Sequence, residues 1–250
     1  MANRENNLDN EKNSSREGHD VIPATTDRSI ARRPAPIPSV RRLPLYLRLL
    51  RDYRAQGRQV ISCTQLAMDL RFDPTQVRKD LALTRVSGRP KVGYPIDALI
   101  DAIEEFLGWR ASIQAVLVGV GSLGTALLGY NFSLYGLNIV GAFDAAPEKV
   151  GQVVHGHEIL PIGYLTSFVR QRAIPMGILT VPAGAAQSVA EMMVAGGVHA
   201  LWNFTSAAVQ VPADVLIERA DFTASLAVLT RALAHGVVPT PRSIPGKESP

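Results

Sequence analysis

The sequence predicts an α/β protein with an N-terminal winged helix-turn-helix unit, a Rossmann domain and a closing C-terminal helix. Three observations predict it. Residues 39–95 are strongly basic and hold two short helices with clear start signals. After Leu107, apolar strand-like runs alternate with helical stretches, as in βαβ units. Within that alternation, Ala115 to Asp144 carries a strand, a glycine turn, a helix, a second strand and an acid.

The elements follow in order. Residues 1–38 are polar, then proline-rich at Pro34, Pro36 and Pro38, and are expected to form a disordered arm. Leu43, Tyr46, Leu47, Leu50 and Tyr53 recur at helical spacing, so Leu43 to Ala55 reads as an amphipathic helix stopped by Gly57. Ser62 with Gln65 three positions on is a capping box, opening a helix that runs to about Leu70. Asp73-Pro74-Thr75-Gln76 opens the next, from Pro74 to Thr84, with Asp73 as cap and Pro74 at the first helical position. Arg85 to Tyr94 carries glycine and proline punctuation that suits a β-hairpin wing. The expected divisions are an arm at 1–38, a winged helix at 39–108, a Rossmann domain at 109–222, a terminal helix at 223–236 and a flexible tail at 237–250.

Charge indicates what the first part binds. Residues 39–95 hold 12 Lys and Arg against 4 Asp, a net of +8 in a chain whose total is +4. A polyanion surface therefore belongs in the first third. In a helix-turn-helix the second helix enters the major groove by its N-terminal half. Here that half carries Thr75, Gln76, Arg78 and Lys79. Gln pairs with adenine edges and Arg with guanine, while neighbouring cations grip phosphate. Ser62 and Thr64 at the start of the first helix, and Arg89 and Lys91 in the wing, complete the candidate DNA contacts.

The glycine run indicates the second ligand. Gly119 allows the tight turn off the strand, Gly121 lets a pyrophosphate approach the backbone, and Gly124 lets the helix pack against the sheet. Val120, Ser122 and Leu123 fill the turn, and the helix from Ser122 points its free N–H groups at the phosphates. Asp144, 20 residues past Gly124, is placed to accept from a ribose hydroxyl. A carboxylate there repels a 2′-phosphate and favours NADH and NAD+ over their phosphorylated forms. A coenzyme A ligand and an NAD-dependent oxidoreductase are the alternatives on pattern alone. No histidine stands in a recognisable dehydrogenase motif, so no enzyme is expected.

Other classes are disfavoured. No run approaches the ~18 apolar residues of a membrane span, and the first twenty residues have no apolar stretch of a secretory leader. Cys63 is the single cysteine, which excludes an internal disulfide and suits the cytoplasm. It reads as a small buried filler. His155 and His157 form an HxH pair without further ligands, so no metal site is expected.

The chain resembles the Rex family of redox-sensing transcriptional repressors. The resemblance is carried by Leu45-Tyr46-Leu47-Arg48, by Asp73 to Leu81 (DPTQVRKDL), by Val92-Gly93-Tyr94 and by VGVGSLG. Phe143-Asp144, Pro147 to Gly151, Leu179 to Pro182 and Asn203-Phe204 continue it. It implies a homodimer on an inverted-repeat operator, released when NADH binds and held with NAD+. It implies cofactor contacts at Thr180, Val181, Pro182 and Asn203, with Tyr130 beside the nicotinamide. It also implies a swapped C-terminal helix at about Thr223 to His235, with the stripe Leu226, Leu229 and Leu233. Arg48 and Asp221 correspond to an ionic pair that switches between the domains. The chain departs from the family in its wing (Gly88 to Lys91), in Thr205-Ser206 after Asn203-Phe204, and in Ala145-Ala146 after Asp144.

Overall fold

The computed structural model describes residues 35–90 and 92–235. Helix α1 (Ile37–Ala55) buries Leu43, Tyr46, Leu47, Leu50 and Tyr53, the stripe its periodicity predicts. It starts earlier than Leu43, because Pro38 lies in the first turn, where a missing N–H costs nothing. Residues 37 and 38 thus belong to a helix and not to the arm; residues 1–34 lie outside the described residues.

Strand β1 (Val60–Ile61) leads to α2 (Cys63–Leu70) and α3 (Pro74–Ala82). Ser62 caps α2 by accepting from the Gln65 N–H, and Asp73 caps α3 by accepting from Thr75 and Gln76. Neither capping box is reciprocal. The Gln65 amide turns to Asp69 and the Gln76 amide to Asp80, each one turn on. Helix α3 stops two residues short of Thr84, whose hydroxyl donates to the Leu81 carbonyl.

The wing differs from the expected hairpin. Arg89 and Gly93 exchange two backbone hydrogen bonds around a tight turn. The strand that follows, β2 (Tyr94–Pro95), pairs antiparallel with β1, Ile61 opposite Tyr94. Gly93 permits this: at φ +102° its missing Cβ would lie 2.4 Å from the Ile61 carbonyl oxygen. Helix α4 (Ile96–Phe106) closes the unit, whose core joins α1, α2, α3 and α4.

The rest is a seven-stranded sheet. Its strands are β3 (Ile113–Val118), β4 (Leu137–Asp144), β5 (Val153–Val154), β6 (His157–Pro161), β7 (Met176–Leu179), β8 (Ala200–Asn203) and β9 (Leu216–Arg219). The order is β5-β6-β4-β3-β7-β8-β9, parallel except for the edge pair β5–β6. Helices α5 (Ser122–Leu128), α6 (Leu165–Arg172) and α7 (Ala183–Gly196) connect them, and separate apolar clusters form the core. The order reverses beside β3, between β4 and β7, which is where a Rossmann sheet opens its ligand crevice.

Helix α8 (Phe222–Ala234) ends the described chain. None of its residues is buried; Phe222, Leu226, Val228, Leu229 and Leu233 all lie exposed.

Candidate functional site

The crevice at the C-terminal end of β3 is built by close backbone approach. Gly119 sits at φ +101°, and a Cβ there would lie 2.7 Å from the Thr180 carbonyl carbon and oxygen. The Thr180 hydroxyl donates to the carbonyls of Val118 and Gly119 at 3.0 and 2.8 Å. It pins the β7–α7 loop to the turn. A Cβ on Gly124 would lie 2.0 Å from the Gly119 oxygen, whereas one on Gly121 would meet nothing within 4 Å. Gly121 is thus the glycine that leaves space. It caps α5 without a side chain, leaving the N–H groups of Ser122 and Leu123 free of a side-chain cap. Val181 is half-buried and Pro182 exposed beside the turn.

Asp144 ends β4 at this crevice. Its carboxylate accepts from the backbone N–H of Val120 (2.7 Å) and of Ala146 (2.9 Å), and from Lys149 Nζ (3.0 Å). Burial pushes its pKa up, but these three donors outweigh burial and hold it below the usual carboxylate value. Three of about four lone-pair positions are filled, so one is left for a ribose hydroxyl. The role of Lys149 in holding Asp144 has no signal in local spacing.

Asn203 ends β8. It is fully buried, donates to the Ala207 carbonyl and accepts from the N–H and hydroxyl of Thr205. It organises the loop after β8, and Thr205 at the departure from the family pattern is its partner.

Tyr130 is exposed, its ring 4.6 Å from that of Phe132 and stacked on Tyr135 at 6.2 Å. It lines an apolar groove of about 620 Å³ with Leu107, Trp109, Leu127, Trp202 and Phe222, where the chain passes from α4 to β3. Asp221 caps α8, accepting from the Thr223 N–H and hydroxyl and from the Ala224 N–H. Those bonds lower its pKa, with Arg219 adding a smaller share. Arg48 is exposed on α1 and makes no ion pair among the described residues. Within one chain, then, the expected Arg48–Asp221 pair is not formed. An ion pair between the two parts is Arg41 to Glu218 on β9, at 2.7 Å, and Trp109, packed on the N-terminal core, meets the Tyr135 ring edge-on at 4.9 Å.

The helix-turn-helix presents Thr75, Arg78 and Lys79 on one exposed face of α3, with Ser62 and Thr64 exposed at the start of α2. Arg78 and Lys79 have no ion-pair partner among the described residues. Arg89 is exposed in the wing, and Lys91 lies outside the described residues. Behind this face is a group that no sequence pattern singles out. Asp80 has no exposed surface, yet its carboxylate accepts from Arg42 Nε (2.6 Å) and Nη2 (2.9 Å), the Tyr46 hydroxyl (2.6 Å) and Gln76 Nε2 (2.9 Å). Arg42 and Asp80 are 38 residues apart, so no local pattern joins them.

Two family models match the chain. "Putative DNA-binding protein N-terminus" covers residues 35–82, and "CoA binding domain" covers residues 110–207. The redox-sensing transcriptional repressor Rex of Treponema denticola is 43% identical over 77% of this chain and 92% of that protein. The chain belongs to the Rex family. The Rex of Bacteroides fragilis is 40% identical over 79% of this chain and 90% of its own. Among solved structures, the Rex-family repressor RSP with β-NAD+ and operator DNA superposes at TM-score 0.76 and 28% identity, over 81% of this chain and 94% of RSP. RSP with β-NADH gives 0.75 at 28% identity, over 82% of this chain and 97% of RSP. The Rex relatives thus match both parts together, in the order seen here.

Proposed function

We propose that this Rex chain is a dimeric, operator-binding transcriptional repressor that senses NADH against NAD+ and leaves DNA when NADH binds. One observation carries the reading. A nucleotide crevice with an open Gly121 and a buried Asp144 lies in the same chain as a recognition helix whose Arg78 and Lys79 are unpaired. Gly119 to Gly124 and Asp144 would hold the pyrophosphate and ribose, with Tyr130 toward the nicotinamide. The Asp144 carboxylate suits an unphosphorylated ribose. Coenzyme A, which carries a 3′-phosphate there, fits less well.

The dimer supplies what one chain lacks. The uncovered apolar face of α8 and the apolar groove beside Trp109 and Trp202 are complementary in character. A swapped arrangement lays α8 of each protomer across the other's groove. That would carry Asp221 away from its own chain and toward the partner's nicotinamide site and Arg48. The nicotinamide ring is positive in NAD+ and neutral in NADH, so an Arg–Asp pair nearby responds to the difference. If NADH prefers a dimer whose recognition helices miss adjacent major grooves, it lowers DNA affinity, and DNA lowers NADH affinity by the same factor.

Selection of duplex DNA from a random pool, with NADH and separately with NAD+, tests this. An inverted repeat held with NAD+ and released by NADH is expected. Equal binding in both would end the redox reading, and reduction of NAD+ by hydroxy acids, or oxidation of NADH by aldehydes, would replace it with an oxidoreductase. We further place the protein in the cytoplasm, consistent with the absence, among the described residues, of any helix long and apolar enough to cross a membrane.

A further inference from the structure

Gln76 stands at the flank of the α3 face that bears Thr75 and Arg78, half-buried, with its Nε2 bonded to Asp80 Oδ1 one turn on. A free glutamine amide flips between two orientations, offering its carbonyl or its NH2 to a given neighbour. This one faces a carboxylate that cannot turn. Asp80 Oδ2 is held by Arg42 Nε and the Tyr46 hydroxyl, and Oδ1 by Arg42 Nη2, all from α1. Burial alone would raise the Asp80 pKa, but its donors, Arg42 first, bring it to about 2. The group is therefore ionised and only accepts. The NH2 end of Gln76 must face it, because the carbonyl oxygen would meet a second acceptor.

The remaining edge of the amide is then fixed as the Oε1 acceptor beside one N–H donor. In the major groove adenine offers a donor at N6 beside an acceptor at N7, which complements that edge. Guanine offers two acceptors, O6 and N7, and O6 would face Oε1. We propose that Asp80, which has no exposed surface, is a specificity-determining positioning residue: by holding the Gln76 amide it restricts that side chain to reading adenine at one position of each operator half-site. The proposal rests on α3 being the recognition helix. Arg42 and Tyr46 act on base choice through Asp80, from a different helix.

The test uses the full-length dimer and the operator recovered by selection. Each position of one half-site is varied through all four bases, and affinities are measured for the wild type, Gln76→Ala, Asp80→Asn and the double variant. Asp80→Asn keeps the shape but offers Gln76 a donor as well as an acceptor, so the amide can flip. The expected result is a fall of roughly tenfold in the adenine-over-guanine preference at one position, with the other preferences kept. Gln76→Ala should erase the preference at the same position, and adding Asp80→Asn should change that position no further. If circular dichroism shows Asp80→Asn unfolded, Arg42→Lys, which keeps the charge but loses the fork, should give a smaller loss at the same position. A uniform loss of affinity across all bases, or an unchanged preference, would overturn the proposal. So would a Gln76→Ala variant that leaves every preference intact. Thr75→Ala and Arg78→Ala separate the two failures: if they too leave base preference unchanged, α3 is not the reading helix.

Discussion

The proposed recognition helix and the helix that ends the chain are opposites. Helix α3 rests on a polar network that is complete within one chain: Asp80 is fully buried, and all four of its contacts come from α1 or from α3 itself. Helix α8 has no buried residue and leaves its leucines uncovered. The difference teaches where regulation can act. The reading surface is preorganised and does not need the nucleotide to form. In the proposed dimer the spacing of two such surfaces would depend on α8 and its cover, and spacing is what a two-half-site operator measures.

The largest effect should come from breaking that covering. Leu226→Asp with Leu229→Asp places two charges on the apolar face of α8. Light scattering should find monomers, and operator affinity should fall by about a hundredfold or more, as one half-site alone is held. The isolated fold should keep its circular dichroism, because no residue of α8 is buried in its own chain.

Next is the network under α3. Arg42→Met strips Asp80 of its charge partner and leaves a buried carboxylate, which should cost about 3 kcal/mol in chemical denaturation of the N-terminal unit. The loss should be confined to that unit, leaving NADH binding near its wild-type value.

The glycine turn sharpens the contrast inside the second part. Gly121→Ala meets no neighbour, so thermal stability should hold while NADH affinity drops about tenfold or more. Gly124→Ala drives a Cβ into the Gly119 carbonyl and should lower stability and binding together. Equal behaviour of the two variants would contradict the assignment of Gly121 to the pyrophosphate.

Acid acts on the network under α3. The folded-state pKa of Asp80 is lowered to about 2 from an ordinary value near 4. Its contribution is therefore fully present above pH ~4 and is lost as the pH falls toward 2, about 2 kcal/mol in all. Stability of the N-terminal unit measured between those pH values should fall more steeply in the wild type than in Asp80→Asn.

Much of this was legible in the sequence. The caps at Ser62 and Asp73, the apolar stripe of α1 and the strand–glycine–acid run all act over a few residues, so spacing reveals them. In the wing, local turn chemistry marks the turn closed by Arg89 and Gly93, but not the pairing of β2 with β1 across more than thirty residues. The motifs locate Asn203 and Thr180 in their loops without disclosing their intramolecular partners. Their polar atoms hold those loops in shape, and only their partners' positions show it. Asp80 stayed hidden for the same reason: within the helix pattern it is one more charged residue after Arg78 and Lys79. Arg42 and Tyr46, which bury and pair it, arrive from another helix.

The central claim is a coupling between two sites of one dimer. The direct measurement is operator affinity, by fluorescence anisotropy at fixed salt, titrated with NADH and in parallel with NAD+. The account predicts that saturating NADH weakens the operator complex by about 5–150-fold, the range of a typical allosteric coupling, while NAD+ leaves it nearly unchanged. NADH that binds tightly and leaves operator affinity where it was would contradict it.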